Sequence, residues 1–284
     1  MSVSWATSSP AELRAHHARD AGQRAGPLPE DVDEAALAEA GAFRGGLLFT
    51  PPDPVPDAAI VYFHGGGFVA GSPATHRCVT AWLAKLTGMR VLSGRYRLAP
   101  EHPFPAQRDD AAAACAAAAA MSGTGARLIL AGDSAGACVA LWGLHALAPD
   151  LRARVAGLAL LYGGYGGRTG ESVARYGTPE NGLDAGTLSA MYQRLGPAAD
   201  DAIWPTAFAG EIAEPAYVLA AELDAVFDDS TRLSEGLRPA APDSRFVVAA
   251  GQDHGFLKGA GRDPSAAREL EALSAWLRAR VSVP

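Results

Sequence analysis

The chain has 284 residues, of which 49% are hydrophobic and 19% charged, and its formal net charge is −7 at pH 7. This length and apolar content suffice for one sizeable core, so we expect a single main domain with attached segments. The only lysines are Lys85 and Lys258, and no basic stripe could neutralise a phosphate backbone, which excludes nucleic acid as an expected partner.

The cysteines and the apolar runs indicate the compartment. Cys78, Cys115 and Cys138 lie far apart among small or apolar residues, which predicts reduced core side chains. No run approaches the ~20 apolar residues of a membrane span. The first ten residues lack the basic start and the apolar stretch of a secretory signal. We therefore expect a soluble, cytoplasmic protein without a membrane span.

Short apolar runs alternate with longer helical patterns from residue 47 onward, which predicts an α/β fold with a mostly parallel sheet and helices on both faces. The predicted strands are 47–50, 58–63, 90–93, 127–131, 155–161, 216–221 and 244–249. The predicted helices are 75–87, 105–121, 135–148, 228–237 and 264–280. Because ligands bind at the carboxyl ends of strands in such sheets, functional residues should follow the strands.

Two stretches interrupt this alternation, residues 8–42 and 163–214. Both contain weak helical patterns broken by Gly and Pro, and we interpret them as a cap over the functional edge of the sheet. The chain is accordingly divided into an N-terminal cap segment at 1–44 and a main domain at 45–284, with a cap insertion at about 163–214. The sequence contains neither of the two glycine patterns that bind nucleotides.

Residues 64–67 read His-Gly-Gly-Gly and directly follow the predicted strand 58–63. A run of glycines lets the backbone approach a ligand closely and turn its N–H groups toward developing negative charge. A flexible loop is the alternative, but the position at a strand end, upstream of a second motif, favours the functional interpretation. The predicted oxyanion hole consists of Gly65, Gly66, Gly67 and Ala135, with the N–H groups of the last three as donors.

The second motif is at residues 132–136, which read Gly-Asp-Ser-Ala-Gly between a predicted strand and a predicted helix. This is the context of a nucleophile elbow, a sharp turn that lifts the serine above the sheet. The pattern Gly-x-Ser-x-Gly also arises by chance in glycine-rich chains, so a plain turn is the alternative. The placement after a strand favours Ser134 as the nucleophile.

A serine nucleophile needs a base to accept its proton and an acid to orient that base. His254 is the best candidate among the seven histidines, because it follows the last predicted strand on a loop that can reach the elbow. Asp224 lies just past the strand 216–221 and is the leading acid. The rival carboxylates are Glu222, Asp228, Asp229 and Asp253.

Together these motifs resemble the hormone-sensitive-lipase-like branch of the α/β-hydrolases, which includes many bacterial carboxylesterases. The resemblance runs from about residue 58 to the C-terminus and includes residues 96–106, a stretch characteristic of that branch to which we assign a structural role. The order Ser, Asp, His along the chain also matches. The resemblance implies the α/β-hydrolase fold with a helical cap. It further implies hydrolysis of short to medium acyl esters through a Ser-His-Asp triad and an acyl-enzyme, without cofactor or metal.

The chain departs from the family pattern after Tyr162, because residues 163–167 read Gly-Gly-Tyr-Gly-Gly where the family often has Pro and then Asp. We expect this entry to reshape the acyl or alcohol pocket. Aromatic side chains near the motifs are candidates for lining that pocket, and plain core packing is an equal alternative. The candidates are Phe68, Tyr162, Tyr165, Trp204 and Phe256.

Several alternatives to an esterase stay open. An amidase or deacetylase acting on an N-acyl or O-acyl group of a specialised metabolite would use the same residues on a different bond. A non-catalytic small-molecule receptor is the alternative of another class, since the resemblance extends to plant hormone receptors without a working triad. A scaffold with a relic pocket is the third. The expected partner is a small-molecule acyl ester, and an edge strand or the last helix is a candidate surface for a homodimer.

Overall fold

A computed structural model describes residues 4–5, 7–199 and 201–282, and this part of the chain forms an eight-stranded sheet. The strands are β1 Asp33–Leu37, β2 Gly46–Thr50, β3 Ala58–Phe63, β4 Arg90–Gly94, β5 Arg127–Asp133, β6 Val155–Leu161, β7 Ala216–Ala221 and β8 Arg245–Ala249. Their order in the sheet is β1-β2-β4-β3-β5-β6-β7-β8. Strand β2 runs antiparallel to both of its neighbours, and every other neighbouring pair is parallel.

Helices cover both faces of the sheet. They are α1 Pro10–Arg24, α2 Arg77–Thr87, α3 Ala106–Met121, α4 Ala135–Ala146, α5 Pro149–Arg152, α6 Glu171–Tyr176, α7 Ala185–Gln193, α8 Pro205–Phe208, α9 Phe227–Leu237 and α10 Pro264–Val281. Short 3₁₀ helices span Pro73–His76, Asp201–Ile203, Ala209–Glu211 and Phe256–Gly259.

The central strands are apolar throughout because both of their faces are buried. Alternate residues of β3 enter different cores, with Val61 and Phe63 in the one that holds α3, α4 and α9. Ile60 and Tyr62 lie in the other, beside α2 and α10. Because β3 to β8 run parallel to one another, the loops that leave their carboxyl ends meet at one edge of the sheet.

The predicted fold class is confirmed, and the seven predicted strands are present with bounds that differ by at most two residues. The prediction missed β1, which lies within the segment interpreted as cap. Asp33–Leu37 is mostly exposed and has no apolar alternation, and it becomes a strand by pairing with β2. The N-terminal segment thus also contributes an edge strand to the sheet.

Parts of the two irregular stretches, helix α1 and residues 163–199, contribute side chains to the cavity at the carboxyl edge of the sheet. Helix α1 contacts the main domain through Arg14, whose Nε donates to the Val69 carbonyl at 2.9 Å. Arg194, just after α7, donates to the carbonyls of Trp5 and Ser8 at 3.1 and 3.0 Å. Residues 4–5 and 7–24, together with residues 163–199, are called the cover below.

The structure bears on two expectations from composition, which concern the cysteines and membrane-spanning helices. Cys78, Cys115 and Cys138 are buried and free, as predicted. Among the described residues, no helix combines the length and the apolar character that crossing a membrane requires.

Candidate active site

The turn between β5 and α4 places Ser134 at the carboxyl edge of the sheet. Ser134 has φ 52° and ψ −125°, a conformation that residues with a side chain rarely adopt. The flanking glycines supply space: a Cβ on Gly132 would lie 2.3 Å from the Gly136 carbonyl oxygen, and one on Gly136 would lie 2.0 Å from that of Phe63. The serine therefore takes the strained conformation, and the glycines permit the close packing around it.

Ser134, Asp224 and His254 come from separate loops and form one hydrogen-bonded chain. His254 Nε2 lies 2.8 Å from Ser134 Oγ, and His254 Nδ1 lies 2.7 Å from Asp224 Oδ2. Asp224 is 1% exposed, and its other oxygen accepts the Val226 N–H at 3.0 Å. Because a carboxylate only accepts hydrogen bonds, Nδ1 carries the proton, and Nε2 is available to accept the proton of the serine hydroxyl.

The rival carboxylates contact other groups. They are Glu222, Asp228, Asp229 and Asp253. Glu222 accepts the Gly251 N–H at 2.7 Å, and the two aspartates that open α9 accept N–H groups within residues 165–172. Asp253 pairs with Arg24 at 3.6 Å. Asp224 is thus the carboxylate that the structure brings to His254.

The loop after β3 brings unpaired N–H groups to Ser134. Gly66 and Gly67 have φ values of 125° and 58°, and a Cβ on Gly66 would lie 2.3 Å from the Ala70 carbonyl oxygen. Within the described ranges, the N–H groups of Gly66, Gly67 and Ala135 have no hydrogen-bond acceptor. All three residues line the cavity that contains Ser134. Free donors beside a nucleophile can stabilise an oxyanion as it develops.

Gly65 requires a correction, because its N–H donates to Asp133 Oδ1 at 2.9 Å and is unavailable to a substrate oxygen. The same oxygen accepts the Tyr62 hydroxyl at 2.8 Å, and Oδ2 lies 3.2 Å from His76 Nε2. Burial alone would raise the pKa of Asp133, but the charge and hydrogen bond of His76 outweigh it and hold this pKa well below its usual range. Asp133 therefore anchors the glycine loop as a carboxylate.

Sequence reasoning missed Asp133 and His76. The available signal was a carboxylate at the end of an otherwise apolar, buried strand, since a buried charge requires several donors.

The segment 96–106 packs against the loop that follows β3. Tyr96 donates its hydroxyl to the His64 carbonyl at 2.7 Å, and its ring stacks on the His64 ring. The Ala99 N–H donates to the Phe68 carbonyl at 3.0 Å. These contacts agree with the structural role expected for this segment.

Of the five aromatic side chains predicted to line the pocket, Phe68 does so. The prediction is wrong for four buried ones that pack in the core instead, which are Tyr162, Tyr165, Trp204 and Phe256. The Tyr162 ring and the His254 imidazole pack edge to face, with a centroid separation of 5.4 Å. Tyr162 therefore packs against the imidazole and does not line the cavity.

The glycine-rich entry at residues 163–167 explains part of this difference. A Cβ on Gly163 would lie 2.2 Å from the Tyr165 ring, and one on Gly166 would lie 2.4 Å from the Trp204 ring. Within this stretch, Gly164 alone lines the cavity. The departure from the family pattern thus makes room for two large buried side chains that do not line the cavity.

A cavity of about 220 Å³ opens above Ser134, and the cover supplies much of its lining. The apolar wall consists of Trp5, Phe68, Leu183, Leu188, Met191 and Tyr192. The polar wall consists of His17, Asp20, Arg24, Asp253 and Lys258. Apart from Phe68 and the rival carboxylate Asp253, sequence reasoning singled out none of these residues for the site. No group of three or more His, Cys, Asp or Glu side chains in the described residues is placed to hold a metal ion.

Known proteins share this architecture and part of the sequence. A model of the alpha/beta hydrolase fold family matches residues 60–258. An acetyl esterase of Salmonella paratyphi B is 30% identical over 222 residues, which cover 72% of this chain and 67% of the relative. A hormone-sensitive lipase from a metagenome library is 26% identical, with a TM-score of 0.83 over 97% of this chain and 94% of its own.

An esterase of the archaeon Pyrobaculum calidifontis is also 26% identical, with a TM-score of 0.81 over 96% of this chain and 91% of its own. The family match extends over most of the chain, and the relatives are esterases by sequence and by structure. This chain therefore belongs to the alpha/beta hydrolase fold family, in its hormone-sensitive-lipase-like branch, and is a carboxylic ester hydrolase.

Proposed function

We propose that this esterase cleaves small acyl esters through an acyl-enzyme, with Ser134 as nucleophile, His254 as general base and Asp224 as the residue that orients the base. The observation that carries the proposal is the chain of contacts from Ser134 Oγ through His254 to Asp224, at 2.8 and 2.7 Å. It lies beside three N–H groups that have no acceptor among the described residues.

In the first half of the reaction, His254 Nε2 accepts the Ser134 proton while Oγ attacks the acyl carbon. The N–H groups of Gly66, Gly67 and Ala135 bind the oxyanion, and each donor of this kind is typically worth ~10²–10³ in kcat. His254 then donates the proton to the alcohol oxygen as the C–O bond breaks. The alcohol leaves, and the acyl group stays on Ser134.

In the second half, water takes the place of the alcohol. His254 accepts a proton from this water as its oxygen attacks the acyl carbon, and then returns the proton to Ser134 Oγ. Asp224 accepts the Nδ1–H bond throughout and stabilises the imidazolium form. The edge contact with Tyr162 restricts the imidazole to this orientation.

The cavity favours a small substrate. Its volume of about 220 Å³ is below the ~300–1,000 Å³ of sites for drug-sized ligands. The Met191 sulfur and the Trp5 ring both lie close to Gly67 and fill the space beside the proposed oxyanion hole. With acetyl esterases among the relatives, we expect acetyl esters to be turned over faster than esters of long acyl chains.

The test is hydrolysis of p-nitrophenyl acetate, butyrate and octanoate by the wild type and Ser134→Ala. Ser122→Ala, which changes a serine at the end of α3, is the matched control. A fluorophosphonate label located by mass spectrometry identifies the nucleophile. We expect acetate to be the fastest substrate, Ser134→Ala to lose at least ~10⁴-fold in kcat, and the label to be on Ser134.

Turnover that persists in Ser134→Ala, or a label on another residue, contradicts the mechanism. No turnover and no label would instead favour a receptor. Pairing each ester with its amide separates an esterase from an amidase, which would show comparable rates on the two.

A further inference from the structure

Two side chains of the polar wall have hydrogen-bonding groups that nothing in the described part of the protein uses. The Lys258 side chain is 12% exposed, and its ion-pair partner Asp20 is 3.9 Å away, too far for a hydrogen bond. His17 is 8% exposed, its ring makes no hydrogen bond with a described residue, and its Nδ1 is sealed from solvent. Both residues line the cavity above Ser134.

Unused polar groups in a buried position point to a ligand, because a buried donor or acceptor normally has a partner. Burial lowers the pKa of Lys258, against the opposing charges of Asp133 and Asp20. Burial also lowers the pKa of His17, so its ring is neutral, and because Nδ1 is sealed, Nε2 is the ring nitrogen left to donate to or accept from a ligand. The wall therefore presents complementary groups to whatever occupies that side of the cavity.

The chemistry of the reaction indicates which part of the ester lies there. The departing alcohol receives its proton from His254, so it leaves on the side of this residue. Lys258 follows His254 by four residues, and Arg24 Nη1 donates to the His254 carbonyl at 3.3 Å. The polar wall thus flanks the alcohol, whereas Met191 of the apolar wall lies against Gly67, at the proposed oxyanion hole.

The charges of the polar wall balance. Arg24 lies 3.4 Å from Asp20 and 3.6 Å from Asp253, and Lys258 adds a second cation near Asp20. Two cations facing two anions leave no net positive charge to bind an anionic alcohol. A wall that holds both donors and acceptors matches hydroxyl groups, which donate and accept.

Two further carboxylates line the cavity, and neither adds the positive charge that an anionic alcohol would need. Asp133 is already occupied by three donors, and Glu180 is an exposed residue of the segment 163–199.

We propose that the polar wall is a subsite for the alcohol part of the ester, and that this alcohol is a small neutral polyol whose hydroxyl groups hydrogen-bond with Lys258 and His17. The inference rests on the proposed function. Sites built to hydrogen-bond a substrate hydroxyl discriminate strongly against an analogue that lacks it, because the buried polar groups are then left unpaired.

The test compares acetates that share a carbon skeleton: 1-acetylglycerol with hydroxyl groups, propyl acetate without them, and 2-acetoxypropanoate with a carboxylate. We expect the wild type to favour 1-acetylglycerol over propyl acetate by about tenfold or more in kcat/KM. Lys258→Met and His17→Phe should bring this ratio close to one. Lys85→Met, which changes the only other lysine, an exposed one paired with Asp31, should leave the ratio at the wild-type value.

A second measurement needs no variant. With p-nitrophenyl acetate as donor, glycerol and propanol at equal concentration compete with water for the acyl group on Ser134. Attack by an alcohol forms a new ester and returns the serine hydroxyl, so the yield of each ester reports how well its alcohol is bound. Glycerol should capture several times more acyl group than propanol.

The outcomes separate the two proposals. Hydrolysis of propyl acetate without preference for 1-acetylglycerol overturns the polyol subsite and leaves the esterase mechanism intact. A preference for 2-acetoxypropanoate overturns it in favour of an anionic alcohol. A wild-type ratio in both Lys258→Met and His17→Phe shows that discrimination arises elsewhere and also overturns it. No hydrolysis of any acetate contradicts the proposed function itself.

Discussion

The floor of the cavity and its cover are held in different ways. The floor comprises residues 64–67 and 132–136 with Asp224 and His254, and Cβ atoms on Gly66, Gly132 and Gly136 would collide with neighbouring backbone atoms. The cover contacts the floor through side chains, such as Arg24 on the His254 carbonyl and Met191 beside Gly67, and through the backbone bond from the Gly164 N–H to the Ser134 carbonyl at 3.4 Å. We therefore expect the floor to tolerate fewer substitutions than the cover. We expect the reaction to depend mainly on the floor, and substrate preference to depend on the cavity walls, to which the cover, Asp253 and Lys258 all contribute.

The largest effect is expected from Asp224→Asn, which changes the floor without changing its shape. An amide that donates toward His254 Nδ1 favours the tautomer in which Nε2 carries the proton and cannot accept one from Ser134. We expect kcat to fall by about 10⁴-fold. Asp228→Asn, a nearby carboxylate without contact to His254, is the matched control and should remain near the wild type. Steady-state kinetics on p-nitrophenyl acetate measures both, and an Asp224→Asn enzyme within tenfold of the wild type would refute the orienting role.

Gly67→Ala tests where the floor meets the cover. The new Cβ would lie 2.6 Å from Met191 Sδ at a φ of 58°, so the loop must shift and its N–H group is re-aimed. We expect kcat to fall by about 10²-fold with little change in KM, because the N–H group acts in the transition state. The double variant Gly67→Ala/Met191→Ala removes the clash and should recover part of kcat. A change in KM alone would mean that Gly67 only shapes the pocket.

Acid should lower the free energy of unfolding through two buried histidines, His17 and His64. Burial lowers the pKa of His64 from its ordinary 6.5 to about 3, and burial also lowers that of His17. The unfolded chain therefore binds more protons than the folded one, and the free energy of unfolding falls as pH drops below about 6.5. The slope is up to ~1.4 kcal/mol per pH unit for each histidine.

Urea unfolding at several pH values between about 7 and about 5.5 measures this slope. His64→Asn removes one of the titrating groups and should lower the slope, whatever it does to stability at neutral pH. An unchanged slope would mean that His64 does not stay neutral in the folded protein.

The smallest effect is expected from Gly22→Ala in α1, where a Cβ meets nothing within 4 Å. Alanine in an exposed helix should raise the free energy of unfolding by about 0.5–1 kcal/mol and leave kcat/KM unchanged. Gly136→Ala, in the floor, should instead reduce the yield of folded protein. Lost activity in Gly22→Ala would show that the cover is fitted as tightly as the floor.

The floor could be predicted from sequence because each of its motifs follows a strongly apolar strand. The serine, the aspartate and the histidine each lie directly after such a run, so their meeting at one edge follows from parallel strand geometry. Gly65 was assigned a wrong role because the sequence does not reveal which N–H groups Asp133 occupies.

The walls of the cavity could not be predicted in the same way. Helix α1 and residues 163–199 carry weak patterns, and their lining side chains are decided by tertiary packing. Strand β1 was missed because pairing with β2, rather than its own composition, makes it a strand. Two of the misplaced aromatic side chains, Tyr165 and Trp204, are buried where Gly163 and Gly166 make room for them.

The contacts of Asp133 also make recovered activity a probe of folding. Its donors, on Tyr62, Gly65 and His76, are 71, 68 and 57 residues away along the chain. Contacts between such distant residues form only after the chain has closed large loops and β3 has paired with β5. Esterase activity regained during refolding therefore reports completion of the central sheet. The recovery of helix and strand content alone does not show when that step occurs.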